Sequence, residues 1–242
     1  MKILGLDSSG LVAGVAIVED DLLLAEYNVN YKKTHSQTLL PMLDEVRKMI
    51  ELDMESIDAI AIASGPGSFT GLRIGSATAK GLGMALDKPL VEVPTLEGLA
   101  YNLWGTDSLV CPLIDARRNQ VYTGVYEFAE EGELNIVEPQ TAVDISIIIE
   151  RINAIGNGQP GRSVVFLGDG VPVYRNILEK QVKIPYSFAP AGKNRQCAGS
   201  IAALGAVYFA QGRTVTAVEH QPEYLRQSQA ERELAEKERG CV

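Results

Sequence analysis

The chain has 242 residues, 46% of them hydrophobic, and a mean hydropathy near zero, enough apolar material for one large or two modest cores. A formal charge of -9 and a pI near 4.9 argue against direct binding of a nucleic-acid backbone. Three cysteines (Cys111, Cys197, Cys241) without metal-type spacing argue against a disulfide framework; with no leader pattern and no apolar run of bilayer length, the expectation is a cytoplasmic protein with no membrane attachment.

In chain order, "KILGLD", "VAGVAIV" and "LLLAEYNVNY" are β-branched and apolar and read as three strands, the first two joined by a Ser8-Ser9-Gly10 turn beside Asp7. "THSQTLLPMLDEVRKMI" follows as a helix, with Thr34 and Gln37 fitting a capping box. Leu39, Leu43, Val46 and Ile50 form its apolar stripe, widened by Leu40 and Met42, and Pro41 is expected to bend it. "SIDAIAIAS" reads as a buried strand, "GLRIGSATAKGLGMAL" as a helix, "PLVEV" as a strand and "TLEGLAYNLW" as a short helix.

From about residue 107 the plan restarts with a hairpin, "LVCPLIDA" and "VYTGVYEF" around "RRNQ". A looser stretch follows, in which "GNGQPGRS" is the most linker-like segment. "VVFLGDG" is a strand ending in a glycine turn, with helices at about 173–180 and 196–211. The expected organisation is a duplicated α/β fold with subdomains at 1–106 and 107–220 and a polar tail, 221–242, read as a solvated helix or a frayed end.

The glycine-dense stretch "SGPGSFTGLRIGSATAKGLG" (64–83) is not a phosphate loop by spacing. Gly65, Gly67 and Gly71 run one residue longer than the dinucleotide fingerprint, and no Gly-Lys-Ser/Thr ends it. Gly71, Gly75, Ala79 and Gly83 instead recur every fourth residue and make one helix face nearly smooth. Such a face permits close helix packing, against either the parent sheet or another chain.

"LGLDSSG", "THSQTLLPMLDEV", the glycine stretch, "PLVEVPTLEGLA", "PLIDARRNQVYTGVY" and "GDGVPVY" together resemble the TsaB/YeaZ family, over nearly the whole chain and in order. That family is required for threonylcarbamoyladenosine at position 37 of tRNAs reading codons that start with adenine. The resemblance implies the two-domain actin/Hsp70/sugar-kinase-like (ASKHA) fold with duplicated βββαβα-type subdomains. The catalytic relative TsaD carries a His-x-Glu-x-His metal segment; here Thr95 and Leu99 stand in the two histidine places, while Glu97 and Gly98 persist. A leucine cannot ligate a metal, and "RQCAGSIAALG" lacks the acid of the relative's late Asp-Asn pair. His35 and His220, the only histidines, lie in no ligand motif.

What the resemblance implies is therefore a non-catalytic scaffold for a TsaD-like transferase, with a TsaE-like ATPase in the same assembly, tRNA reached only through the complex, and a homodimer when the chain is alone. The implied interface is the helix pair 35–50 and 70–84, with His35, Leu39, Leu40, Leu43, Val46, Gly71, Leu72, Arg73, Gly75, Ala79, Lys80 and Gly83. No cofactor is expected to be tightly bound; ATP or ADP at the partner interface is left open. Asp7, Ser8, Ser9, Gly168 and Gly170 occupy the positions where this fold grips phosphates, although turn residues are needed at these strand ends anyway. Asp115, Arg117 and Arg118 read as an ion pair or hairpin brace. The alternative is a sugar-kinase-like phosphotransferase or ATPase using Asp7 and Asp169, and a metalloprotease is disfavoured by the missing ligands.

Overall fold

The computed structural model describes residues 1–31, 35–130, 132–159 and 161–226. Thr34, Cys241 and the tail from residue 227 lie outside the described residues. The first unit runs β1 (Lys2–Asp7), β2 (Val12–Glu19), β3 (Leu22–Asn30), α1 (Leu39–Met49), β4 (Ala59–Gly65), α2 (Phe69–Leu86), β5 (Leu90–Pro94) and α3 (Thr95–Tyr101). The second repeats that order as β6 (Leu109–Arg117), β7 (Gln120–Phe128), β8 (Leu134–Asp144), α4 (Ile145–Gly158), β9 (Val164–Leu167), α5 (Gly170–Gln181), β10 (Tyr186–Phe188) and α6 (Ala198–Ala210).

The duplication extends to pairing. One sheet has the order β3-β2-β1-β4-β5 and the other β8-β7-β6-β9-β10, each with two antiparallel hairpin contacts followed by two parallel ones. Both β1 and β4 are buried on both faces, and their side chains alternate between two different cores. In β4, Ile60 and Ile62 join Leu39, Leu43, Val46 and Ala79 on the α1/α2 side, whereas Ala59, Ala61 and Ala63 face α6. The alanines are small because α6 lies close: a Cβ on Gly205 would come 2.4 Å from that of Ala61, and one on Gly5 would come 2.5 Å from the Ala198 carbonyl oxygen. In the second sheet Leu109, Cys111 and Leu113 face α4 and α5, while Val110 and Ile114 face α3.

The layers are thus α1 and α2, the first sheet, α3 with α6, the second sheet, and α4 with α5. Each unit's last helix is lent to the other: α3 packs its Leu96, Leu99 and Ala100 on the second sheet, and α6 covers the first. This corrects the expected boundary, because 198–220 belongs in space with the first sheet and not with a 107–220 subdomain. The looser stretch after residue 128 contains β8 and most of α4, and within "GNGQPGRS" Gly156–Gly158 end α4, ahead of β9 in the same sheet. Pro41 sits in the first turn of α1, where a backbone N–H has no helical partner, so no bend is required. The helix starts after Thr38 and is preceded by a separate 3-10 turn at His35–Gln37, which holds Gln37. Among the described residues no helix is long and apolar enough to cross a membrane.

Candidate functional site

The smooth face of α2 is turned inward. Gly71, Leu72, Gly75, Ala79 and Gly83 are buried within the chain, as are Leu39, Leu43 and Val46 of α1. A Cβ on Gly71 would lie 2.0 Å from the Ser8 carbonyl oxygen, one on Gly75 2.4 Å from Ser8 Oγ, and one on Gly83 3.0 Å from Leu90. The close approach is therefore made to the β1–β2 turn and to β5, and these eight residues are corrected from partner contacts to core. His35 is also turned inward, its Nε2 lying 2.8 Å from the Gly10 carbonyl oxygen.

Three of the expected interface residues do reach the surface. Leu40 is 52% exposed. Arg73 stacks on the Phe69 ring at 4.0 Å and donates to the Tyr224 hydroxyl, while Lys80 donates to the Val218 carbonyl. Opposite the buried stripe, α2 presents a second small-residue face: Ala77, Gly81 and Ala85 are exposed, flanked by Ile74 and by Met84 at 69% exposure. No atom lies within 4 Å of where a Gly81 Cβ would be. With Leu40 on the same side of the sheet, this gives an apolar outer surface with little side-chain relief.

At the β1–β2 turn, Asp7 Oδ1 accepts from both the backbone N–H (2.8 Å) and the hydroxyl (2.7 Å) of Ser9. Ser8 Oγ donates to the Gly71 carbonyl, and Ser68 N–H donates to that of Ser9. Burial pushes the Asp7 carboxyl up to about 6 despite the Ser9 bonds. In the second unit Gly168 has φ 105, and both it and Gly170 lie against the Leu113 carbonyl. Between them Asp169 accepts from the Asp115 N–H, and Asp115 in turn accepts from Arg117 N–H and the Tyr174 hydroxyl. Asp115 is thus a brace for the hairpin, but through neutral donors and not an ion pair with the arginines. Arg117, Arg118 and Asn119 all have positive φ at its tip.

Thr95, Glu97 and Leu99 lie at the start of α3, and all three are buried within the chain. Thr95 Oγ1 accepts from Gly65 N–H at 3.2 Å, and Leu99 is buried among Val110 and Ile114. Glu97 accepts from the Tyr208 hydroxyl, and burial holds its carboxyl above the usual range. Among the described residues no group of three His, Cys, Asp or Glu could hold a metal ion. His220 is fully buried and pairs through Nδ1 with Glu92 at 2.6 Å, with no sequence signal to announce it.

His220 belongs to a C-terminal strap, residues 215–226, whose last six residues composition assigned to a solvated tail. Val215 bridges Leu90, Ala217 enters the core, Glu223 N–H donates to the Ser64 carbonyl, and the Tyr224 ring lies 4.7 Å from that of Phe69. The strap then reaches the second sheet: Gln140 donates to Glu223, and Arg226 donates to the Ala116 carbonyl. Gly65 is needed for this crossing, since a Cβ there would come 2.2 Å from the Glu223 carbonyl oxygen. Replacing Tyr224 by Ala removes the stacking and the Arg73 bond and is expected to cost about 1 kcal/mol in urea denaturation; an unchanged midpoint would mean the strap is only laid on the surface.

A family model described as TsaD: tRNA N6-adenosine threonylcarbamoyltransferase matches residues 23–234. The chain is 31% identical to the tRNA threonylcarbamoyladenosine biosynthesis protein TsaB of Bacillus subtilis over 99% of its own length and all of the relative's, and 29% identical to that of Escherichia coli over 98% and all. Among solved structures, YeaZ from Pseudomonas aeruginosa is 26% identical with a TM-score of 0.77, covering 93% of this chain and 99% of that one. The two sheets of matching order give the expected duplicated α/β architecture. With the family model spanning most of the chain and full-length relatives agreeing with it, the chain belongs to the TsaB/YeaZ family of tRNA threonylcarbamoyladenosine biosynthesis proteins.

Proposed function

We propose that the chain serves threonylcarbamoyladenosine formation as a non-catalytic subunit that docks a TsaD-like transferase on the outer faces of α1 and α2. The observation that carries this is the uncovered surface of Ala77, Gly81, Ala85, Ile74 and Met84 on α2, with exposed Leu40 on α1 on the same side of the first sheet. Helices with such small outward residues allow a partner helix to approach closely, and two helices of this length can supply about 800 Å² of interface per partner. The Thr95 and Leu99 positions support the non-catalytic part, since neither offers a metal ligand of useful strength. The phosphotransferase alternative rests on Asp7 and Asp169, each of which accepts through Oδ1 from the backbone of its own turn or hairpin. In this reading a TsaE-like ATPase joins the pair, tRNA is reached through the complex in the cytoplasm, and the isolated chain self-associates by the same face.

The test is light scattering after size exclusion of the chain mixed with the TsaD-like protein of its own organism. Ala77→Arg and Gly81→Arg place a long cation on the outer face without touching the core, and the Gly81 site has open space for it. The 1:1 complex is expected for the wild type and to be weakened about 100-fold or more in each variant, with melting temperatures kept. Complexes that survive both changes would remove α2 from the interface.

A further inference from the structure

A second concavity lies away from the α1/α2 surface, between α3, the start of β8 and the C-terminal half of α6. It has a volume of about 480 Å³, within the range of small-molecule sites. At its floor is Glu97, only 6% exposed. One carboxyl oxygen, Oε2, accepts from the Tyr208 hydroxyl; Oε1 accepts from no described residue, although the side chain lines the cavity. Beside it the Arg213 guanidinium carbon lies over the Tyr208 ring, 3.5 Å from its centroid, and among the described residues Arg213 makes no salt bridge to a carboxylate. Trp104, Ile136 and Val207 form an exposed apolar part of the wall, at 58%, 55% and 41% exposure, and Glu133 and Gln211 supply polar lining beside them. Trp104 is also fixed, donating through Nε1 to the Gly132 carbonyl at 3.0 Å with its ring against the Gly132 Cα.

A buried acceptor and a cation held in one cavity, with an apolar section of wall beside them, match a ligand that carries an ammonium, a carboxylate and a hydrophobic body. We infer that this cavity binds a free α-amino acid with an aromatic or large aliphatic side chain, its ammonium on Glu97, its carboxylate on Arg213 and its side chain against Trp104, Ile136 and Val207. Neither the oxygen of Glu97 nor the rim needs such a ligand for the fold. The role of Glu97 in the fold ends at Tyr208, for which one oxygen suffices.

Trp104 is the chain's single tryptophan, so its emission reports occupancy without a label. The full chain is titrated with L-phenylalanine, L-leucine and L-methionine, with calorimetry in parallel. A saturable change at millimolar concentration or below is expected for at least one of them. N-acetylation or amidation of that amino acid is expected to weaken binding roughly tenfold each, as is Arg213→Gln, while Arg213→Lys retains part of it. Arg213 is exposed, so its loss is not expected to unfold the chain, and an unchanged thermal melt verifies that. No saturation by any of the three in both measurements overturns the inference, and so does binding indifferent to Arg213→Gln or to blocking the ligand's charged ends.

Discussion

Leu43→Asp and Gly75→Leu are each expected to abolish the cooperative thermal transition of the isolated chain or to lower its stability by about 5 kcal/mol or more. Leu43 is buried among core residues that include Met42, Val46 and Ile60, so the change removes about 2–3 kcal/mol of apolar burial and also places a carboxylate in a site with no donor built for it. Gly75 meets the Ser8 hydroxyl at 2.4 Å and Ile62 Cδ1 at 3.1 Å from the position of a single added carbon. A leucine would need α2 to lift off the first sheet and would break the Ser8 to Gly71 bond with it. Losses of this size are comparable with the whole stability of a typical domain. Circular dichroism melts would decide: a transition within a few degrees of wild type would show that these positions face solvent. The contrast with Gly81→Arg matters for any binding experiment, because a complex lost through unfolding says nothing about where the partner sits.

Much of the strand and helix order was legible because its signals are local. Alternating and β-branched runs marked β1, β2, β4, β6 and β9, and the every-fourth-residue rhythm marked α2 as a close-packing helix. The direction in which that face points is not local. Helix α2 has small residues at Gly71, Gly75, Ala79 and Gly83 and again at Ala77, Gly81 and Ala85, so the sequence describes a thin helix without saying which side meets the sheet. What fixes the choice is Ser8 and Leu90, far away in the chain. The C-terminal strap was missed for a related reason. Its composition is polar, yet its hold comes from a few backbone bonds and from His220, Ala217 and Tyr224 entering gaps built by other elements. β8 was missed because alternation is diluted there by Glu138, Pro139 and Gln140, and pairing with β7 supplies what propensity does not. At the two glycine-containing turns only the structure shows which bonds are made within the chain, Ser8 to Gly71, Ser9 to Asp7 and Asp115 to Asp169.

Asp7 carries the second large effect, and its sign is opposite to that of a helpful surface carboxylate. Its pKa is raised from 3.8 to about 6 because burial disfavours the charged form more than the Ser9 bonds and the nearby His35 favour it. A carboxyl raised on folding supports the native state fully below its unfolded value and loses that support as pH rises through the folded one. At neutral pH the wild type therefore folds with a penalty of about 3 kcal/mol at this site. Asp7→Asn keeps an acceptor at Oδ1 for both the Ser9 N–H and hydroxyl and cannot ionise. Its urea-derived stability relative to wild type is expected to be near zero around pH 4, to grow between about pH 4 and 6, and to level off at about 2–3 kcal/mol in its favour above that range. Glu97 and Asp169 are also raised by burial, but they titrate in both proteins and cancel in the difference. A difference that does not vary with pH would refute the buried-carboxylate explanation. The predicted gain would establish that the aspartate at the end of β1 stands against the stability of the fold at neutral pH.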